Sequence, residues 1–348
     1  MLVEKAIARA GGWIPFDRFM ALALYAPGLG YYANDTRKFG TDPASGSDFA
    51  TAPEMTPLFG ASVAVQVADA LRATGTDEVW EFGAGSGALA LQLLQALGGA
   101  VRRYTIVDLS GSLRERQQQA LAEYGDKVQW ISELPQRFRG VIVGNEVLDA
   151  MPVKLLMRRG GAWHERGLGS GLAWIDRPTD LRPPVEIPGS HDYLTEIHLQ
   201  AEAFIRTLAD RLERGAAFFI DYGFGEDEYY HPQRHMGTLM CHRGHLADPD
   251  PLGDVGLKDI TAHVNFTGLA LAAQDSGLAT LGYTSQARFL MNCGLVARLA
   301  QASLQERIAG QRLLAEHEMG ELFKVIGFHQ GAFWPACGFS EGDRTGRL

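Results

Sequence analysis

The chain is poor in cysteine. Cys241, Cys293 and Cys337 stand far apart in 348 residues. Three scattered thiols cannot build a disulfide framework, which points to a reduced compartment. Positive charge is also short. The chain has 32 Lys and Arg against 41 Asp and Glu, a net charge of −9. That balance argues against a broad nucleic-acid-binding surface. No apolar run approaches the roughly 20 residues that span a bilayer, so no membrane insertion is expected. The first residues, Met1 to Arg9, resemble the opening turns of an amphipathic helix. They lack a secretory h-region and cleavage site and are too short for a mitochondrial presequence, so a cytoplasmic location is expected. Internal repeats and low-complexity segments are missing too. What remains is ample apolar content, 46% of the chain. That suffices for one large α/β domain with extensions, or for two domains.

The densest signal is Val79-Trp80-Glu81-Phe82-Gly83-Ala84-Gly85-Ser86-Gly87. It reads as a short apolar strand, a glycine turn and a helix beginning near Ser86. Glycines there let the backbone take positive φ and approach a ligand closely. The helix N-terminus then offers free amides to an anionic group. Two ligand classes compete. Gly83, Gly85 and Ala88 satisfy the dinucleotide fingerprint formally. Glu81, Gly83, Gly85 and Gly87 fit the tighter S-adenosylmethionine form, with an acid two residues before the first glycine. Glu81 at the strand tip can accept from the cofactor's ammonium, whereas a pyrophosphate has no use for an anion there. The reading is therefore S-adenosylmethionine, with Glu81, Gly83, Ala84, Gly85 and Gly87 contacting it.

Arg103 to Asp108 reads as a second strand ending in an acid. Asp108 follows the glycines at close to the spacing at which a βαβ unit presents an acid to a ribose diol. Leu109 and Ser110 lie at the same edge and are counted with the cofactor residues. Asp108 or Ser110 could equally cap the following helix.

The rest organises around this turn. Phe16 to Tyr25 read as a helix stopped by Pro27. A loop rich in Gly, Asp, Ser, Thr and Pro leads to a helix over 58–71. Strands near 78–82, 103–107, 127–131 and 140–144 alternate with helices, which implies a parallel sheet. Gly160-Gly161 between two apolar stretches signals a hairpin, and a Pro-rich stretch follows. A helix near 193–213, a strand over 216–221, helices near 285–316 and a last strand near 323–327 complete the pattern. The fold class is α/β, with a mostly parallel Rossmann-like sheet covered on both faces. Residues 1–75 are expected to form an N-terminal helical cap and cofactor-covering loop. Residues 76–348 are the core, with insertions at about 152–190 and 225–260.

Polar groups fall where the strands end, the usual ligand edge of such sheets. Asn145 and Glu146 follow the fourth strand and are the first candidates to touch the substrate. Asp221 ends the next strand and adds a carboxylate. The stretch from His231 to His245 tempts a metal reading. Pro232 argues against a regular helix there, and the spacing does not match paired zinc ligands, so no metal is expected. His263 lies in a polar cluster that opens a helix.

These motifs together resemble the MidA-like methyltransferases, the family of the mitochondrial complex I assembly factor that methylates a protein arginine. The resemblance spans nearly the whole chain. It rests on Phe19-Met20, Tyr25-Ala26-Pro27, Gly30-Tyr31-Tyr32, Asp48 to Glu54 with Phe59-Gly60, and the Glu81 to Gly87 run. It continues through Gly144 to Val153, Asp221-Tyr222-Gly223, Gly237-Thr238-Leu239 and Asp259 to Phe266. Asn265 departs from it, since an Asp is expected there. The resemblance implies a class I methyltransferase fold with S-adenosylmethionine as cofactor. It also implies that the loop carrying Thr51, Pro53 and Glu54 folds over the cofactor. Glu146 and Asp221, with Asn145 beside them, would then grip a guanidinium, and Glu54 is a third carboxylate. A protein substrate, by resemblance a respiratory-complex subunit, is the expected acceptor, and a homodimer is allowed. A small-molecule methyltransferase and a cofactor-binding assembly factor are the alternatives.

Overall fold

The computed structural model describes residues 2–34, 38, 48, 50–108 and 111–348. Helix Leu2–Arg9 leads into strand β1 (Trp13–Pro15) and helix Phe16–Tyr25, which ends before Pro27 as its sequence requires. A short helix, Ala52–Met55, precedes helix Pro57–Thr74, which Gly75 closes in the left-handed conformation at φ 60°.

Strands and helices then alternate: β2 (Glu78–Phe82), helix Ala88–Leu97, β3 (Arg103–Val107), helix Gly111–Ala120, β4 (Val128–Ile131) and β5 (Phe138–Asn145). An inserted region follows, with β6 (Lys154–Arg159), β7 (Ala162–Gly169), β8 (Ala173–Pro178) and β9 (Tyr193–Ile197). Helix Leu199–Arg211 returns the chain to β10 (Leu212–Phe224). The small strands β11 (Met240–Arg243), β12 (Leu246–Asp248), β13 (Asp259–Thr261) and β14 (Val264–Asn265) precede helix Phe266–Asp275. The last strands are β15 (Ala279–Ser285) and β16 (Phe323–Gln330).

The central sheet runs β15-β16-β10-β5-β2-β3-β4. Strands β10, β5, β2, β3 and β4 are parallel neighbours, and β16 lies antiparallel between β15 and β10. The burial explains the sequence. Residues 140–145 of β5 are all buried, because helices cover both faces of a parallel sheet. Successive residues of β10 serve opposite faces. Ala216, Phe218 and Ile220 join helices 57–74, 88–97 and 286–292 in one core, whereas Ala217 and Phe219 join helices 199–211 and 266–275 in the other. Each fully buried Phe contributes about 1.5–3 kcal/mol of transfer free energy.

A second, antiparallel sheet is built by the insertion and the N-terminus together, in the order β1-β7-β6-β9 with β8 on β7. A third pairs β12, β11 and β13. The N-terminal helices, the hairpin residues Val153, Leu155 and Leu168, and Cys241 and Ile260 form one further core.

Two expectations need correction. Residues 193–197 form β9 rather than the start of a helix, because pairing with β6 overrides the local preference. The stretch near 285–316 holds helices as expected, three of them, separated by Gly294 at φ 83° and by the Ser303–Glu306 capping box. β15 precedes them and was not expected. β10 is also longer at both ends than 216–221.

Candidate functional site

The strand tips converge on a cavity of about 1650 Å³. Glu81, the penultimate residue of β2, lines it although only 2% exposed. Its carboxylate accepts from the Tyr104 hydroxyl at 2.7 Å. Burial pushes its pKa up to about 8, against the smaller downward pull of that hydrogen bond. A buried carboxyl whose partner is a neutral phenol ionises readily only when a cation arrives.

The glycine turn follows at once. Gly83, Gly85 and Gly87 have φ of 62°, 53° and 88°, a conformation that side chains disfavour. A Cβ on Gly83 would also lie 2.9 Å from Val147 Cγ2. Gly87 caps helix Ala88–Leu97, so the helix starts two residues beyond Ser86. Gly83, Ala84 and Gly85 all line the cavity. Asp108 does so as well, just past β3. Leu109 and Ser110 lie outside the described residues.

The segment carrying Thr51, Pro53 and Glu54 stands against this turn, and all three line the cavity. The Ser86 hydroxyl donates to Glu54 Oε1. Gln92 Nε2 donates to the Pro53 carbonyl at 2.8 Å.

Sequence reasoning missed Gln117. It is fully buried on helix Gly111–Ala120. Its Nε2 donates to the Gly85 carbonyl at 3.0 Å and to Asp108 Oδ2 at 2.8 Å. Its Oε1 accepts from Trp130 Nε1 at 3.0 Å. One amide thus fixes the glycine turn against the acid of the next strand. The readable signal was a glutamine within the inward stripe Leu113-Gln117-Leu121.

The turn after β5 carries the other carboxylates. Glu146 has φ 54°, a left-handed conformation that costs on the order of 1 kcal/mol or more. Asn145 Nδ2 donates to Glu146 Oε1 at 3.0 Å, and both residues line the cavity. Burial, then the neighbouring Asp149, raises Glu146 to about 8. Asp259 lines the cavity from β13 and accepts from the Tyr32 hydroxyl at 2.9 Å through both oxygens. Burial and Asp149 raise it to about 8 as well.

Asp221 has a different place from the one expected. Its Oδ2 accepts from the backbone N–H groups of Val147, Leu148 and Asp149 at 3.1, 2.9 and 3.2 Å. Its Oδ1 accepts from Tyr222 N at 2.9 Å. It is 1% exposed, and it does not line the cavity. Asp221 is consumed in shaping the turn that presents Asn145, Glu146 and Asp149.

His263 also lines the cavity, stacked on Phe224 with ring centroids 5.2 Å apart. Burial lowers its pKa to about 4, so it is neutral at pH 7. Its polar cluster opens helix Phe266–Asp275 as expected, with His263 two residues ahead of the cap. The cap is Asn265, whose side chain accepts from Gly268 N at 3.2 Å. A neutral cap serves that purpose, so the departure at Asn265 leaves the helix start intact. Among the described residues no group of three His, Cys, Asp or Glu side chains is placed to hold a metal ion.

Comparison with known proteins bears directly on this geometry. The sequence profile of a family described as "Putative S-adenosyl-L-methionine-dependent methyltransferase" matches residues 62–284. A crystal structure of a Burkholderia thailandensis protein bound to S-adenosyl-homocysteine is 48% identical, with a TM-score of 0.94, covering 99% of this chain and 95% of that one. A mitochondrial protein from Drosophila melanogaster named protein arginine methyltransferase NDUFAF7 homolog is 28% identical over 94% of this chain and 86% of its own. Its Caenorhabditis elegans counterpart is 27% identical over 93% and 84%.

Proposed function

The chain belongs to this family of S-adenosyl-L-methionine-dependent methyltransferases, and from that premise we propose that it methylates an arginine side chain of a protein. The cofactor is S-adenosyl-L-methionine, which supplies an already activated methyl group. The residues present suit it. Glu81 would receive its ammonium, the turn Gly83–Gly87 its amino-acid end, and Asp108 its ribose.

One observation carries the choice of acceptor. Glu146, Asp149 and Asp259 line one cavity, and Asp149 stands close enough to raise the proton affinity of the other two. Such a wall is costly to ionise alone and favours a cation. A guanidinium is a planar cation that carboxylates can grip through paired hydrogen bonds. Tyr25 and Tyr32, stacked with centroids 5.6 Å apart, stand beside it and offer flat apolar surface to a planar group. The chain's own residues thus hold the acceptor in line, and alignment is the larger part of the work. The relatives' names agree with this acceptor. A respiratory-complex subunit is the substrate class to try first.

The test is incubation of the protein with methyl-labelled S-adenosylmethionine and cell lysate. Label in a protein band is the expected outcome. Label confined to small molecules, or cofactor binding without turnover, would overturn the proposal.

A further inference from the structure

Asp149 stands out among the cavity carboxylates. It is 5% exposed, yet its Oδ1 is buried without any hydrogen-bond partner. Its Oδ2 accepts from the Tyr222 hydroxyl, which fixes the carboxyl plane. An orphaned oxygen on a buried acid is rare, because it costs the full desolvation of that atom. The turn that holds it is over-determined. Asp221 secures the Asp149 amide, and the Asp149 carbonyl accepts from Ala262 N at 3.0 Å. The fold thus holds this turn with several hydrogen bonds and leaves Oδ1 without a hydrogen-bond partner of ordinary geometry.

We propose that Asp149 Oδ1 is the group that takes the proton leaving the acceptor nitrogen, with Tyr222 as its positioning residue. The inference rests on the arginine reading above. In the step, the guanidinium nitrogen gives one N–H proton to Oδ1, and its freed pair forms the N–CH₃ bond. The donor's S–CH₃ bond breaks with its pair left on sulfur. The products are a methylguanidinium, the thioether and a protonated Asp149, which then returns its proton to water. The nitrogen grows more acidic as the new bond forms, so a modest base suffices.

The surroundings decide between candidates. The titratable groups facing Asp149 are Glu146 on its own turn, Asp221 and Tyr222 on β10, Asp259 on β13, and Tyr25 and Tyr32 from the N-terminal segment. None is a cation. Burial raises Asp149 to about 6, with Tyr222 holding the rise down, whereas Glu146 and Asp259 stand near 8. Of Glu146, Asp149 and Asp259, Asp149 is thus the carboxyl least held in its protonated form in the ligand-free protein. His263 also has an unpartnered atom, Nδ1, but at about 4 it is the weaker base.

The experiment compares wild type, Asp149→Asn and Tyr222→Phe. It measures methylarginine formation in lysate protein from pH 5.5 to 9, and S-adenosyl-homocysteine affinity by calorimetry. Asp149→Asn should lose at least about 100-fold in rate at every pH, the range for a positioned base. Its affinity for S-adenosyl-homocysteine should stay within a few-fold. Tyr222→Phe should remain active, with the acid limb of its profile moved to higher pH, since the hydroxyl that favours the carboxylate is gone. A smaller rate loss in Asp149→Asn, or an unmoved limb in Tyr222→Phe, would overturn the assignment. Failure of the wild type to form methylarginine would overturn the arginine reading itself, before any variant is compared.

Discussion

Glu81 sits buried beside a phenol, at the head of a turn whose three glycines all have positive φ. Few ligands suit that combination, and a cationic amino group on a close-lying chain is one. Gly85→Val should abolish S-adenosyl-homocysteine binding, because a β-branched side chain disfavours φ near 53° and occupies ligand space. Thermal shift with the compound should fall to nothing while the fold persists. Asp108→Ala should weaken cofactor binding by roughly 1–3 kcal/mol, the scale for a hydrogen bond to a charged acceptor. Gln117→Leu should show a similar loss, since the glycine turn and Asp108 would lose their common clamp. Calorimetry on both variants checks this. If Gln117→Leu binds as tightly as wild type, the clamp has no part in the cofactor site.

At the scale of elements, the turn after β5 depends on β10. Asp221→Ala would leave three N–H groups of that turn, two of them buried, without an acceptor. It should lower stability by about 2–3 kcal/mol or more, seen as a lower melting temperature, and disorder the presentation of Glu146 and Asp149. A variant as stable as wild type would show that the turn holds without it. This is where the sequence was least legible. Strand-end position marked Asp221 as a substrate carboxylate, but nothing in Asp221-Tyr222-Gly223 shows which way each side chain turns. The partner turn is over 70 residues away in the chain, and only the register of β10 beside β5 brings them together. The glycine turn was legible because positive φ needs a particular residue type at particular positions. The strands β2 to β5 were legible for a similar reason, as short apolar runs between turn signals. β9 was not, since its five residues are strand only through pairing with β6. Asp149 passed unremarked because its distinguishing mark, an oxygen without a partner, exists only in three dimensions.

For the whole molecule, the raised carboxyls set a pH dependence. Glu81, Glu146 and Asp259 stand near 8 and Asp149 near 6, above their ordinary values of 4.5 or 3.8. The folded state therefore keeps protons that the unfolded chain has lost, throughout the interval between those values. Stability from these groups is full below the unfolded values and is lost as pH rises through the folded ones. The melting temperature of the ligand-free protein should fall from pH 6.5 to 8.5. S-adenosylmethionine brings cationic groups that favour the ionised Glu81, so its affinity should rise over the same interval, by up to about tenfold per pH unit for one released proton. A thermal shift with cofactor that shrinks towards pH 8.5 would contradict this electrostatic account.

The central claim is that a carboxylate wall beside the cofactor turn receives a guanidinium. The most direct measurement is the identity of the methylated residue. Protein labelled by the wild-type enzyme is hydrolysed in acid and its amino acids are separated. The account predicts that the label runs with methylarginine. Label running with methyllysine, or released from the intact protein by mild base as volatile methanol from a methyl ester, would contradict it.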